Sequence, residues 1–111
     1  MNTPNLTIQE LVPLIQEWAK EREIYKKITR FNQLLKTHEE VGELIKACYD
    51  NDKTAIQDAI GDVMVTLINY CYMERIDVLE QINDVLTFER KRADSKVVLA
   101  LSIQDSLTRL M

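Results

Sequence analysis

The stretch Thr54-Ala-Ile-Gln-Asp-Ala-Ile-Gly-Asp-Val-Met-Val-Thr-Leu-Ile-Asn-Tyr-Cys-Tyr-Met73 decides the fold. Thr54 and Gln57 have capping-box spacing, and only Gly61 interrupts helical continuity as far as Met73. The run from Val63 to Ile68 would also pass as a strand, but it lacks flanking turns, so a helix is expected. On the helical wheel Asp58, Asp62, Val65, Asn69 and Tyr72 share one narrow face, while Ile60, Val63, Met64, Leu67, Ile68 and Cys71 cover nearly everything else. A helix apolar almost all round is expected to be buried. Carboxylates four residues apart on it then need compensation, because an isolated charge in a low-dielectric interior costs several kcal/mol or more. An Arg or Lys from another helix would supply it, and so would a metal ion.

Working back along the chain, Phe31, Leu34, Leu35, Val41, Ile45 and Cys48 repeat at helical spacing until the turn residues Asp50-Asn51-Asp52, which predicts a helix of about 20 residues. Glu39, Glu40 and Glu43 lie within roughly 100° of one another, opposite Leu34, Val41, Ile45 and Cys48. Taken alone this is a solvated face with Lys36 and Lys46 as ion-pair partners. The only two glycines, Gly42 and Gly61, each precede a carboxylate, although a glycine inside a helix costs about 1 kcal/mol relative to alanine. Close crossing of the two helices would explain both. That crossing would gather Glu39, Glu40, Glu43, Asp58 and Asp62 around a small volume. Hard oxygen ligands of this kind suit Mg²⁺ or Mn²⁺. Zinc and di-iron fit poorly, because His38 is the single histidine and no Glu-x-x-His pair occurs. His38 itself is expected to be packed or at an edge.

Further out, Thr7 and Glu10 have capping-box spacing, and Pro13 predicts either a kink or a start near it, with a helix body at roughly 13–24. Leu11, Leu14, Ile15 and Trp18 fall on one face of it. A basic, less regular stretch runs from Tyr25 to Arg30. Asp77, followed by Glu80, is expected to cap a fourth helix carrying Leu79, Ile82, Val85 and Leu86 and ending in Glu89-Arg-Lys-Arg92. Asp94-Ser95 then restarts structure, and a C-terminal helix at about 95–111 places Leu99, Ile103, Leu107 and Leu110 on one stripe. The whole is an all-α, four- to five-helix bundle in one domain, 1–111, with its motif core at about 31–75.

Composition agrees. The 111 residues suffice for one core and not two. Two glycines, two prolines and no Asn-Gly or Asp-Gly dipeptide exclude a many-turned β fold. With 14 Lys+Arg and 18 Asp+Glu the net charge is −4, which speaks against nucleic-acid polymers and anionic membranes as partners. A phosphate-bearing ligand would need a metal bridge. Cys48 and Cys71 follow no C-x-x-C spacing and read as buried free thiols of a reducing compartment. Met1 to Leu6 show no leader pattern and the longest apolar stretch, Val63 to Met73, is too short to span a bilayer, so a cytoplasmic protein is expected.

Glu39-Glu40-Val-Gly-Glu43, followed after a turn by Asp58-Ala-Ile-Gly-Asp62 with Asn69 beyond, resembles the MazG-like all-α nucleoside triphosphate pyrophosphohydrolases, whose signature is E-E-x-x-E and then E-x-x-D on the next helix. The resemblance covers roughly residues 10–92. One departure stands out: the second motif would place an acid at Ala59, and the available carboxylate is Asp58, one place earlier. The resemblance implies hydrolysis of a nucleoside triphosphate between the α and β phosphates, dependent on Mg²⁺ or Mn²⁺. It implies Glu40, Glu43 and Asp62 as metal ligands with Asp58 as a fourth, and Glu39, Glu40 and Glu43 as the catalytic acids, Glu39 serving the water or a second metal. Lys36 would hold a phosphate oxygen, Asn69 would bond sugar or base, and Trp18 would stack on a base or pack in the core. Lys26, Lys27, Arg30, Arg90, Lys91 and Arg92 are further phosphate candidates. It also implies a homodimer or homotetramer, with helices pairing across subunits. Two alternatives stay open: a non-catalytic helical oligomerisation module, and a phosphoribosyl-ATP pyrophosphohydrolase-like enzyme.

Overall fold

The computed structural model describes residues 5–110; Met1 to Pro4, part of the stretch expected to carry no leader, and Met111, the last position of the C-terminal helix expected at about 95–111, lie outside the described residues. The chain is helical throughout, with α1 (Ile8–Glu21), α2 (Ile24–Lys27), α3 (Arg30–Tyr49), α4 (Lys53–Met73) and α5 (Val78–Leu110). Among the described residues there is no strand, so the run from Val63 to Ile68 is helical as expected. The chain divides into two units, Met1–Asp77 and Val78–Met111.

In the first unit, α1 opens with the expected capping box: Thr7 Oγ1 accepts from the Glu10 amide at 3.3 Å while Glu10 Oε1 accepts from the Thr7 amide at 3.3 Å. The helix therefore starts five residues before Pro13, which it takes into its interior, and it ends at Glu21. The cap fixes the first turn, and the missing amide at Pro13 is tolerated behind it. Thr29 caps α3, with Oγ1 3.1 Å from the Asn32 amide. The α4 cap is Asp52 and not Thr54: its Oδ1 accepts from the Ala55 amide at 3.1 Å. Asp is as good an N-cap as Thr or better, and the chain leaves its turn at Asp52 in extended conformation.

Three helices end on a left-handed residue, and none of the three is glycine: Glu23 (φ 58°), Asn51 (φ 53°) and Arg75 (φ 59°). After α3 the Asp52 amide bonds to the Ala47 carbonyl and the Asn51 amide to that of Cys48, both at 3.1 Å, a Schellman closure. After α4 the Ile76 amide bonds to Cys71 at 2.9 Å and the Arg75 amide to Tyr72 at 3.1 Å, the same device. The two glycines are spent elsewhere. A Cβ built on Gly42 or Gly61 would meet nothing within 4 Å, so neither glycine serves the α3–α4 crossing as the sequence suggested.

That crossing is nonetheless the main packing of the unit, with α3 and α4 antiparallel. The face α3 turns inward is Gln33, Thr37, Glu40 and Ala47. The apolar stripe expected to face the core lies outside: Phe31, Leu34, Leu35 and Ile45 are exposed, and so is Cys48. On α4, Ala59, Ile68 and Asn69 are buried, whereas Ile60 and Met64 are exposed, so this helix is not covered all round. A hairpin of two helices has one shared face, and of the bulky aliphatic residues named here only Ile68 lies on it. The ends of the hairpin are tied by Arg30 and Glu74 at 2.9 Å.

The second unit is α5 alone. The predicted break at Asp94-Ser95 is absent, and Val78–Leu110 is one helix of 33 residues. No Gly or Pro occurs within it, and Asp or Ser inside a helix costs only a fraction of a kcal/mol. Among the described residues no helix is long and apolar enough to cross a membrane.

Candidate active site

Six of the candidate binding and catalytic residues singled out in the sequence line one cleft of about 470 Å³: Trp18 from α1, Lys27 from α2, Lys36 and Glu40 from α3, and Asp62 and Asn69 from α4. Each is brought there by local helix geometry. Lys36 and Glu40 are one turn apart on α3, and Asp62 and Asn69 are two turns apart on the face of α4 that also carries Val65. Ile24, Lys27 and Ile28 close one side from α2 and the turn beyond it.

Glu40 is the most unusual residue here, 7% exposed in a helix whose other acids are on the surface. Its Oε1 stands 3.4 Å from Lys36 Nζ, which also reaches Glu39 Oε2 at 3.5 Å. Its Oε2 is buried with no hydrogen-bond partner. The hydrogen bond to Glu40, and then the charge of Glu39, raise the Lys36 pKa, so the lysine stays cationic. Glu43, one turn beyond Glu40, has its carboxyl held above the usual range, first by the neighbouring Glu40 side chain, to which its protonated form could donate, and then by the Glu40 charge.

Asn69 is 3% exposed, and its Oδ1 accepts from the Tyr25 hydroxyl at 2.7 Å. Tyr25 stacks on Tyr72 with ring centroids 4.4 Å apart, and Lys20 lies 4.9 Å over the Tyr72 ring. Burial, and then Tyr72, push the Tyr25 phenol up to about 12. Gln33 Nε2 donates to the Thr66 carbonyl at 3.0 Å, fixing α3 against α4 beside the cleft. With its carbonyl oxygen taken by Tyr25, Asn69 has its amide N–H groups to offer a ligand. Trp18 is not a core residue: it is 44% exposed, with the Arg22 guanidinium 4.7 Å from its ring.

Other expectations fall differently. Asp58 and Asp62 are both exposed, so the buried carboxylate of this site is Glu40, with one oxygen on Lys36 and the other unmet, rather than the α4 pair. Asp58 and Glu43 are not among the residues lining the cleft. Ala59, where the motif would place an acid, is buried at 5%, and Asp58 beside it points its position outward. Among the described residues no three Asp, Glu, His or Cys side chains are gathered closely enough to hold an ion as they lie. Glu39 and His38 are exposed. Of the basic candidates Lys27 lines the cleft and Arg30 is engaged with Glu74, while Arg90, Lys91 and Arg92 belong to the second unit. Both cysteines are free, Cys71 half-buried and its thiol pushed up by burial.

Sequence reasoning missed Tyr25 and Gln33. The Gln33, Thr37, Glu40, Leu44, Ala47 spacing of four and three residues was the available signal that α3 turns a polar stripe inward. No spacing links Tyr25 to Asn69.

A family model for the MazG nucleotide pyrophosphohydrolase domain matches residues 29–94, more than half of the chain, and the chain belongs to that family. A protein of Haemophilus phage HP1 (strain HP1c1), an uncharacterized 18.2 kDa protein in the rep-hol intergenic region, is 36% identical over 76 residues, which are 68% of this chain and 47% of the phage protein. The chain thus spans about half the length of the curated relative it matches.

Proposed function

We propose that this chain hydrolyses nucleoside triphosphates, ribo- or deoxy-, to the monophosphate and pyrophosphate with the help of Mg²⁺ or Mn²⁺. The observation that carries the proposal is Glu40: a buried carboxylate with one oxygen on Lys36 and the other without a partner, on the wall of a cleft shared with Asp62 and Asn69. A fold does not bury such an oxygen without cost, and a hard cation relieves it. Glu40, Glu43 and Asp62 are the residues that would hold the ion, with Asp58 as the fourth candidate from the family pattern. When bound, the ion neutralises phosphate charge and lowers the pKa of the attacking water.

The chain's own groups do the rest. Lys36 is cationic at the cleft and offers N–H donors to a phosphate oxygen. Asn69 offers its amide N–H groups to sugar or base, and Trp18 offers a ring face to a base. Glu39, exposed beside Lys36, is the residue that would take the proton of the water as its oxygen bonds to the α phosphorus and the bond to the bridging oxygen of pyrophosphate breaks.

The test is a pyrophosphate-release screen across ribo- and deoxynucleoside triphosphates, with and without Mg²⁺, repeated on Glu43→Gln. Release that needs both the ion and Glu43 supports the proposal. No release across the whole panel overturns it and favours a non-catalytic helical module.

A further inference from the structure

We propose that α5 pairs antiparallel with the α5 of a second copy of this chain, in a register centred between Asp94 and Ser95. The proposal stands on α5 alone and is independent of the hydrolase assignment.

The helix has 33 residues and none of them is buried. Ile82, Leu86, Ile103 and Leu107 are each about half exposed, at 53, 47, 53 and 51%. With Glu89, Ala93, Lys96 and Ala100 they form an unbroken seam of alternating four- and three-residue steps, the spacing of a coiled coil. Its polar members decide what can cover it. A parallel pair in register would stack Glu89 on Glu89 and Lys96 on Lys96, two like-charge layers in one interface. Turned end for end, Ile82 meets the partner's Leu107, Leu86 meets the partner's Ile103, Glu89 meets the partner's Ala100, and Ala93 meets the partner's Lys96. By two-fold symmetry each layer occurs twice. Large aliphatic side chains then fill both ends, and each charged side chain faces an alanine methyl, which leaves it room to bend out into water. Glu89 and the partner's Lys96 fall one turn apart, close enough to attract. Half of the seam lies beyond the family match, which ends at residue 94: Lys96, Ala100, Ile103 and Leu107.

The test uses the full chain with Cys48→Ser and Cys71→Ala, into which Ile82→Cys and Leu107→Cys are introduced separately. Each variant alone, and an equimolar mixture of the two, is treated with a short bis-maleimide. The expected result is a covalent dimer from the mixture and none from either variant alone. Adding Leu86→Glu and Ile103→Glu to both is expected to cut the mixed cross-link at least tenfold while circular dichroism still reports a helical chain. Cross-linking of either single variant with itself would mean a parallel pair, and an absence of cross-link in the mixture would mean no pairing along this seam. Either result overturns the proposal. Association through the faces of α3 and α4 cannot reproduce the expected pattern.

Discussion

The hydroxyl of Tyr25 lies 2.7 Å from Oδ1 of Asn69, 44 residues further along the chain, and it is the contact that ties the short helix α2 to the buried polar face of α4. Replacing Tyr25 with Phe keeps the stack on Tyr72 and strands the Asn69 oxygen. The expected loss is about 1–3 kcal/mol of stability, read from urea unfolding. Because the folded phenol titrates at about 12 against an ordinary 10.0, the contribution of Tyr25 to stability is fully present below pH 10 and is lost as pH rises from 10 to 12. Tyr25→Phe removes that part of the alkaline loss, and an unchanged alkaline profile would show that Tyr25 is not its source.

Glu40→Gln separates stability from activity. The variant cannot supply the carboxylate, and pyrophosphate release is expected to fall at least a hundredfold. Its amide can donate to Glu43, and like-charge repulsion along α3 is relieved, so the metal-free fold gains about 0.5–1 kcal/mol. Asp62→Asn, at an exposed position, should lose activity with little change in stability. A less stable Glu40→Gln chain would contradict the account of Glu40 as a buried carboxylate that Lys36 satisfies only at one oxygen.

Glu43 gives two pH dependences of opposite sign. Its carboxyl is raised above the ordinary 4.5, so its protonated form favours the metal-free fold below that value and the benefit is lost as pH rises through the raised one. Affinity for Mg²⁺ runs the other way and weakens as Glu43 takes up its proton. A carboxyl NMR titration is expected to show the Glu43 midpoint above 4.5, to move it down on adding Mg²⁺, and to return it toward the ordinary value in Glu40→Gln.

The cap of α4 can be checked directly. Asp52→Ala is expected to cost about 0.5–2 kcal/mol, and Thr54→Ala, by the same denaturant measurement, no more than about 0.5 kcal/mol. The reverse order would restore the cap that the sequence alone suggested.

Glycine and the left-handed positions are mismatched in this chain, and swapping them should stabilise it. Gly42→Ala and Gly61→Ala place a methyl in open space and are each expected to add about 0.5–1 kcal/mol. Arg75→Gly relieves a non-glycine residue at φ 59° and should add about 1 kcal/mol. Thermal unfolding of the three variants checks this.

Helix existence was legible because periodicity and caps are local. The reach of α3 from Phe31 to the turn at Asp50-Asn51-Asp52, and of α4 as far as Met73, followed from helical spacing and the absence of breakers, and the acidic motifs on them pointed to the family. Which face turns inward was not legible. A wheel assigns the apolar side to the core, but only one face of each helix meets its neighbour in the hairpin, and on α3 that face carries Gln33, Thr37 and Glu40. The continuity of α5 was misjudged for a related reason: Asp94-Ser95 resembles a cap only if something interrupts the helix before it, and nothing does. Tyr25 was passed over because its meaning lies in a contact with a residue no local pattern connects to it.

Lys36 and Glu40 belong to one helix, so the counter-ion of the buried carboxylate travels with it and depends on no other part of the fold. Lys36 is half in water at the end of a flexible four-carbon stem. An arriving cation can therefore take over the carboxylate by swinging one side chain aside, and when it departs the ammonium swings back. On the proposed reading, the exchange of one positive partner of Glu40 for another is a side-chain event within α3, a rail along which charge is handed over rather than a gate.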